Sequence, residues 1–441
     1  MAEAPEFVYA LYWDFFERGI RYFFPEASFS AIGKGTAIVP TLNFSNLDSG
    51  ELDLEWMGTR YRLACPDHAL SADQLRLVAS IGAVLSARYR GIFSPVSNPS
   101  ATHLFQGVAE DRYISAFLDH TPYLDGEGFP TERDVIADAI DVLRQSSLVT
   151  YENQRVSTGV ILTGSVGFPN RPDGDLPFGA LRYTSALVSI KSFSRLCDGL
   201  STVFLVDQKG MLLDLVDIEQ FARACSGAKL PAPSAARYHS HCRATLRPGQ
   251  ICLILTPNGE IKIFAGGAQI FQFLEGRWHL TDVAEKYHVF ERAIGDAPLA
   301  ERLFSVGLNL AEKRRGGLFV LLDRDESVQQ LVSPGDFLDD SLPAVSTKGQ
   351  IHYLLSRKHV MELEPSVLQS IARVDGGIVM DRGGRLLAFG AILRAGGEPM
   401  AAQDGGRTTA AFHASRFGLA LKVSEDGMLS FYRGGAKVWD I

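Results

Sequence analysis

The chain has 441 residues, 46% of them hydrophobic and 21% charged, with a formal net charge of −8. This is the composition of a globular protein of about two to four domains, and its acidic balance argues against broad nucleic-acid binding. Its five cysteines, Cys65, Cys197, Cys225, Cys242 and Cys252, are odd in number and include no CxxC pair, so they read as reduced thiols of a cytoplasmic protein rather than a disulfide framework.

The opening MAEAPEFVYALYWDFFERGIRYFF carries charges at Asp14, Glu17, Arg18 and Arg21 inside its apolar run. It is read as an amphipathic helix packed on its own domain, neither a leader nor a membrane span. Two more helices are predicted from Ser71 and from Thr131, each behind a capping residue and with apolar residues at helical spacing. Residues 1–150 are therefore expected to form an α+β region, assigned a regulatory or sensory role, with a polar, Pro-bearing stretch at Ser94–Ser100.

From Ser157 the texture changes. STGVILTGSVGF reads as a strand entering a glycine-rich loop, FPNRPDGDLPFG as irregular, Tyr183–Leu196 as a helix and Ser201–Val206 as a strand. Two pairs of segments resemble each other. GLSTVFLVDQKGMLLDLVDIEQF (199–221) matches GGLFVLLDRDESVQQLVSPGDFL (316–338), each with a strand ending in Asp207 or Asp323 and a second short strand beyond. PGQICLILTPNGEIKIFAGGAQIFQF (248–273) matches RFGLALKVSEDGMLSFYRGGAKVWDI (416–441), with Asn258-Gly259 and Asp426-Gly427 as hairpin turns. Two related α/β units are expected, at 155–285 and 286–441; chance likeness among hairpins is the alternative. The second opens with a helix from Ala297 whose Leu299, Leu303, Phe304, Val306, Leu308 and Leu310 form a buried face, followed by the strand GLFVLLD. A strand in QIHYLL and a helix entered at Glu364-Pro365 come next, then the strand–turn–strand DGGIVMDRGGRLLAFGAIL. The fold class is α/β, with a mixed sheet flanked by helices in the C-terminal unit.

That unit collects three features suited to phosphate chemistry. Asp375 precedes Gly376 and Gly377, so a carboxylate able to hold Mg²⁺ or Mn²⁺ and to activate a hydroxyl stands beside a backbone that a ligand can approach closely. The loop from Asp404 to Arg416 offers Gly405, Gly406, Arg407, Thr408 and Thr409 as a phosphate cradle. VSEDG places Ser424, Glu425 and Asp426 at a hairpin tip. Each feature alone reads as an ordinary turn or solvated loop; their order and spacing carry the signal.

Together, RRGGLFVLLD, DGGIVMDRGGRLLAFGAIL, GGRTTAAFHAS and VSEDGMLSFYRGG resemble the diadenylate cyclase domain family, over roughly residues 297–441. That family shows a strand of the RGxLIVI kind, an Asp-Gly-Ala hairpin, a GTRHRAA loop and a VSEETGxIS hairpin. The resemblance implies condensation of two ATP molecules into cyclic di-AMP with release of two pyrophosphates, between two facing protomers and with Mn²⁺ or Mg²⁺. Asp375 would ligate the metal and help deprotonate the 3′-hydroxyl, Gly376 and Gly377 would admit the nucleotide, Gly406, Arg407, Thr408 and Thr409 would hold the triphosphate, and Glu425 would touch metal or pyrophosphate. Two departures stand out. Gly377 replaces the alanine of the triplet, and Arg407-Thr408-Thr409 replaces Arg-His-Arg, leaving Arg394, Arg416 or Lys422 to supply the missing charge. The alternative is thus a cyclase-like nucleotide sensor without turnover.

In the first α/β unit no Asp-Gly-Ala counterpart is evident, and RYHSHCRATL (237–246), with His239, His241 and Cys242, stands where the RTTAAFHAS stretch stands in the second. It reads as a structural loop, since no further ligand pair completes a zinc set. TGSVGFPNRPDGD (163–175) carries the Gly-Ser and Asp-x-Asp of polymerase-β-like nucleotidyltransferases, but its prolines exclude the intervening helix that chemistry needs.

Overall fold

Helix α1 (Glu6–Phe23) begins the computed structural model, which describes residues 6–35, 42–45, 51–65, 70–93, 105, 107–118, 134–163, 181–225, 227–338, 350, 352–356, 358–394 and 405–441. Val8, Tyr12, Phe16 and Ile20 recur along α1 at helical spacing and are buried. They pack on an antiparallel sheet of β1 (Ser28–Lys34), β2 (Leu42–Ser45), β3 (Glu51–Trp56) and β4 (Thr59–Ala64), in the order β1-β4-β3-β2. Phe16 stacks on Trp56 and meets Phe29 edge-on, so aromatic rings join helix to sheet.

Helices α2 (Ala72–Phe93), α3 (Ala109–Leu118) and α4 (Val135–Ser147) follow. Asp134, rather than Thr131, caps α4. Its carboxylate accepts from Ala137 N at 2.9 Å, from Ser115 Oγ at 2.5 Å and from the buried Arg112 Nη1 at 2.7 Å. One side chain thereby satisfies a helix end and a buried cation together. Asp111 likewise accepts from Arg144 Nη2 at 2.6 Å and Trp278 Nε1 at 2.7 Å.

A small hairpin of β5 (Thr150–Tyr151) and β6 (Gln154–Arg155) leads into β7 (Thr158–Leu162). After it come α5 (Phe193–Leu196), β8 (Thr202–Val206), β9 (Leu212–Asp217), α6 (Ile218–Cys225) and α7 (His239–Ala244). Then follow β10 (Ile251–Leu255), β11 (Ile261–Ala265), β12 (Ala268–Leu274) and β13 (Arg277–Leu280). The seven-stranded sheet runs β13-β12-β11-β10-β7-β8-β9, and only β7 and β8 are parallel. The helix expected at Tyr183–Leu196 is broken: a 3₁₀ turn at Ser185–Ser189 ends where Ile190 becomes extended, and α5 starts afresh. A Ser-rich stretch with β-branched Val188 and Ile190 has little helical preference to hold it together.

These elements, Met1–Leu230 and Ser240–Asp282, make one unit. A single core cluster extends from Val8 to Trp278, so the N-terminal region and the first α/β segment share one interior.

The second unit is Pro231–His239 with Val283–Ile441. It contains α8 (Val283–Ile294), α9 (Ala297–Glu312), β14 (Gly317–Leu322), α10 (Val328–Leu331) and α11 (Pro365–Ala372), then β15 (Gly377–Met380) and β16 (Leu386–Ala391). It closes with α12 (Gly406–Ala414), β17 (Gly418–Val423), β18 (Leu429–Arg433) and β19 (Ala436–Asp440). The sheet order is β16-β15-β14-β17-β18-β19, with β14 and β15 parallel and every other pair antiparallel. All of β14 is buried: Phe319 and Leu321 join a core with Leu299, Leu303 and Phe304 of α9, while Leu318, Val320 and Leu322 join Ala411 and Ala414 of α12. A strand covered on both faces reads as an unbroken apolar run, as GLFVLL does. The protein is thus α/β, with mixed parallel and antiparallel sheets.

Three expectations change here. Residues 352–356 form a helical turn in which Leu355 N and Ser356 N both donate to His352 O, not a strand; a short apolar run fits either state. The second strand expected after Asp323 is instead a 3₁₀ turn (Asp325–Ser327) and α10. The pairing of segment 199–221 with 316–338 therefore fails, because β8 takes the place in its sheet that β15, not β14, takes in the other.

Asp134→Ala should lower the stability of its unit by about 3–5 kcal/mol, because it removes a helix cap and the carboxylate of a buried ion pair together. Removing the exposed cap Asp296, whose carboxylate accepts from Leu299 N, should cost about 1 kcal/mol. Denaturant unfolding of the two alanine variants checks the contrast.

Candidate functional site

Three segments far apart in sequence converge at one end of β14. The first is the turn from α11 to β15. Val374 N–H closes the helix on Ile371 O, and Asp375 and Gly376 carry the chain into β15. Gly376 has φ +107°, and a Cβ there would lie 2.6 Å from Ala391 O, so backbone conformation and the neighbouring strand both require glycine. Gly377 is buried in β15 opposite Ala391, where a Cβ would make ordinary 3.5 Å contacts with Leu318 and Leu393. The hairpin itself thus requires glycine at Gly376 but not at Gly377, and the Asp375 carboxylate is left fully exposed.

The second segment, expected as a loop, is the helix α12. Gly405 is its N-cap, and Thr408 N and Thr409 N both reach back to Gly405 O. Ala411 and Ala414 are small enough to seat the helix against β14 and β17, which a reading of GGRTT as a phosphate loop did not anticipate. Among the described residues, a Cβ at Gly405 or Gly406 would meet nothing within 4 Å. The N-terminal end of α12, where first-turn N–H groups and the positive end of the dipole lie, is thus uncovered at these two glycines among the described residues.

Arg407 ties the segments together. Its Nη1 donates to Glu425 Oε1 at 2.9 Å, and its Nη2 lies 3.7 Å from Asp375 Oδ1. The guanidinium rests over Gly316, where a Cβ would come within 2.0 Å of Nη1. Gly316, which sequence reasoning did not single out, is the floor of the site; its signal was the Gly-Gly entry to β14. The arginine is 32% exposed and Glu425 71%, so the pair is wet on one side and contributes modestly to stability. Glu425 stands at the β17–β18 turn, where Ser424 N bonds to Met428 O and Gly427 has φ +98°. Its Oε1 accepts from Arg407 Nη1.

Thr408 Oγ1 accepts from Lys422 Nζ at 3.0 Å, so Lys422 brings a second cation to the first turn of α12. Of the other cations considered, Arg416 lies over the Phe412 ring at 5.2 Å, and Arg394 continues the chain beyond β16, its N–H donating to Leu331 O. Thr409 is half-buried one position further along α12. No group of three His, Cys, Asp or Glu side chains is gathered among the described residues. The exposed Asp375 carboxylate would give a hydrated Mg²⁺ or Mn²⁺ one protein ligand rather than a closed protein cage.

The first unit holds a counterpart that the sequence comparison missed. Asp198-Gly199 precedes β8 as Asp375-Gly376 precedes β15, with two more residues, Leu200 and Ser201, before the strand. Asp198 Oδ1 accepts from the N–H groups of Leu200, Ser201 and Thr202 at 2.9, 2.7 and 2.9 Å. Burial works against its charge, but these backbone donors outweigh it and hold the carboxyl below its ordinary range. His241 Nε2 sits 2.8 Å from Gly199 O beneath this turn and packs on Phe264. Nearly all of the polymerase-β-like stretch, 164–175, and the polar stretch 94–100 lie outside the described residues, as does Asp404.

No family model matches the chain, and no curated protein matches it. Solved structures similar to part of it include a hypothetical membrane spanning protein from Bacillus cereus, at 21% identity over 35% of this chain and 70% of that one, with a TM-score of 0.27. A double mutant of DacA from Staphylococcus aureus is similar at 16% identity over 33% of this chain and 85% of that one, with a TM-score of 0.22. Among the described residues, no helix is long and apolar enough to cross a membrane.

Gly376→Ala should destabilise the second unit by about 2 kcal/mol or more, from positive φ and overlap with Ala391. Gly377→Ala should stabilise it by about 0.5–1 kcal/mol, as alanine for glycine within a strand. Thermal melts of the two variants separate backbone demand from open space.

Proposed function

We propose that the C-terminal unit binds the triphosphate of ATP at Arg407 and the first turn of α12, and condenses two ATP molecules to cyclic di-AMP. The observation that supports this is the meeting, over Gly316, of one arginine and two carboxylates drawn from three separate segments. A structural salt bridge needs one carboxylate and no glycine floor; an anion site needs an arginine that can exchange partners. Incoming phosphate oxygens replace Glu425 on the Arg407 fork with charge-assisted bonds. The N–H groups of Gly406 and Arg407 and the Lys422 ammonium add donors along the same edge.

The reaction forms two bonds between a 3′-oxygen of one ATP and the α-phosphorus of the other, and breaks the two α–β phosphoanhydride bonds, releasing two pyrophosphates. Asp375 is exposed at the mouth of the site, where it accepts hydrogen bonds from the attacking hydroxyl and orients it. A bound Mg²⁺ or Mn²⁺ would be held by Asp375 and phosphate oxygens, and would supply neutralisation of the polyphosphate charge. Because each nucleotide supplies both nucleophile and electrophile, the reading requires two ATP-loaded sites to face each other, hence a homo-oligomer.

A second reading, a nucleotide sensor without turnover, is favoured by the two threonines that follow Arg407. They contribute hydroxyls and no charge where the resembling family carries His and Arg.

Incubation with ATP and Mn²⁺ and mass analysis of the products decides between the two: cyclic di-AMP that disappears in Asp375→Ala supports the enzyme, and binding without product supports the sensor. Arg407→Ala should weaken ATP binding about 10- to 100-fold, the scale of one or two charge-assisted contacts. Gly316→Ala should weaken it similarly while leaving the melting temperature nearly unchanged, since the methyl displaces only the tip of a flexible side chain. Unchanged affinity in both variants would defeat the proposal.

A further inference from the structure

We infer that the two mixed sheets are copies of one unit, and that the segment of the first copy corresponding to the Arg407 turn has become a strap that positions Arg407. The inference rests on the nucleotide reading above and supplies its regulation.

The copies are recognised by shared irregularities. Strand order and direction agree from β9-β8-β7-β10-β11-β12 to β16-β15-β14-β17-β18-β19. The register slips between Ile263 and Phe264 in one sheet and between Phe431 and Tyr432 in the other, each two strands beyond the centre. It slips again between Leu205 and Val206, and between Val379 and Met380. Asp207 Oδ1 accepts from Met211 N at 2.8 Å across a turn with Gly210 at φ +75°; Asp381 Oδ1 accepts from Arg385 N at 2.9 Å across a turn with Gly384 at φ +94°. Thr245 donates to Cys242 O and accepts from Gly267 N, while Ser415 donates to Phe412 O and accepts from Gly435 N. Bulges and side-chain-to-backbone bonds at matched positions are not a requirement of the sheet, and chance hairpins do not share them.

Thr245 and Ser415 bring the two segments into line. Arg237 precedes Thr245 by the same eight positions by which Arg407 precedes Ser415. Yet Arg237 does not lie over a glycine. Its segment, Pro231–His239, belongs to the second unit and grips the last turn of α9. Ala236 N donates to Asn309 Oδ1 at 2.8 Å, the Tyr238 hydroxyl donates to Glu312, and Arg237 Nη1 lies 3.8 Å from Glu312 Oε1. Tyr238 is buried and the Glu312 side chain is 9% exposed, so this contact is largely dry.

What Glu312 leads into is the floor of the site. Lys313 N bonds to Asn309 O, Arg314 takes a left-handed conformation at φ +50°, and Arg315 N returns to Leu310 O. Gly316 follows, under the Arg407 guanidinium. The closed turn is only three residues long, so a shift of the α9 terminus is passed to Gly316 with little slack. The strap is joined to the first unit by the chain at Leu230 and Ser240. Any rearrangement there that draws on the strap acts through Glu312 and Gly316 on Arg407. Tyr238 and Glu312 are thus positioning residues.

The same comparison sets the stoichiometry. In the first copy the aspartate is spent on three backbone N–H groups and the arginine faces Glu312. ATP should bind once per chain.

The test uses the full chain, with ATP and Mg²⁺ as the probe. Tyr238→Phe and Glu312→Ala should weaken ATP binding about three- to tenfold at an unchanged one site per chain, the range of coupling through packed contacts. Glu312→Gln, which keeps the acceptor for Tyr238, should restore it to within about twofold. Amide hydrogen exchange at residues 314–317 should quicken in Tyr238→Phe and be unaffected in Arg407→Ala. Exchange at 314–317 unchanged in Tyr238→Phe overturns the strap whether or not ATP binds. So does wild-type ATP affinity in Tyr238→Phe alongside weakened affinity in Arg407→Ala. If Arg407→Ala leaves ATP binding intact while exchange at 314–317 still responds to Tyr238→Phe, it is the nucleotide reading that falls and the strap that stands. Two ATP per chain would overturn the assignment of the first copy as closed.

Discussion

The Arg407 guanidinium is seated over Gly316, where a Cβ would come within 2.0 Å of it, and that contact relates the segments around it in the C-terminal unit. It fixes the residue before β14 as glycine and the first turn of α12 as the neighbour of the α11–β15 turn. The β17–β18 tip must also deliver a carboxylate to the same spot. A guanidinium that is two-thirds buried with one close carboxylate is stable enough to be placed and weak enough to change partners. Two carboxylates beside one arginine leave the cluster with excess negative charge, so a triphosphate is received only if its own counter-ion comes with it or if Glu425 withdraws. Lys422 beside Thr408 moderates that excess. On the proposed reading, anion capture is coupled to a local exchange of partners, in place of a preformed positive pocket.

Much of this was legible in the sequence, and the parts that were not have physical causes. The strands of the second unit followed from apolar runs bounded by glycine turns, because β14 is covered on both faces and leaves no alternation to misread. Helix α9 followed from its buried stripe, though Leu308 is only half-buried. The α12 helix was concealed because two glycines and two threonines announce a loop, while the force holding the helix, the fit of Ala411 and Ala414 against β14, is tertiary. Asp375, Arg407 and Glu425 could be picked out individually. That they share one floor could not, since Gly316 is conspicuous only once Arg407 lies on it. The likeness between the two halves was seen in the right strands at β10–β12 and β17–β19, but displaced by one strand at β8. Apolar strands ending in aspartate are interchangeable by composition and distinguished only by whom they pair with.

The two copies illustrate how one scaffold diverges at its ends while its ladders stay constant. Both hairpins keep the aspartate that caps their turn, Asp207 and Asp381, because the backbone depends on it. The aspartate at the mouth has two fates. Asp198 is drawn inward by three N–H donors and stabilises its own loop, whereas Asp375 is left pointing out with an arginine nearby. Two additional residues, Leu200 and Ser201, between Gly199 and β8 are enough to make that difference, by giving the chain the slack to fold back on its carboxylate.

The central claim is that Arg407 trades Glu425 for phosphate. A crystal structure of the full chain with a non-hydrolysable ATP analogue and Mg²⁺ tests it most directly. The account predicts phosphate oxygens within hydrogen-bond distance of Arg407 and of the first N–H groups of α12, with the Arg407–Glu425 contact opened. An analogue bound elsewhere, or bound nearby with Arg407 still seated on Glu425, would contradict it.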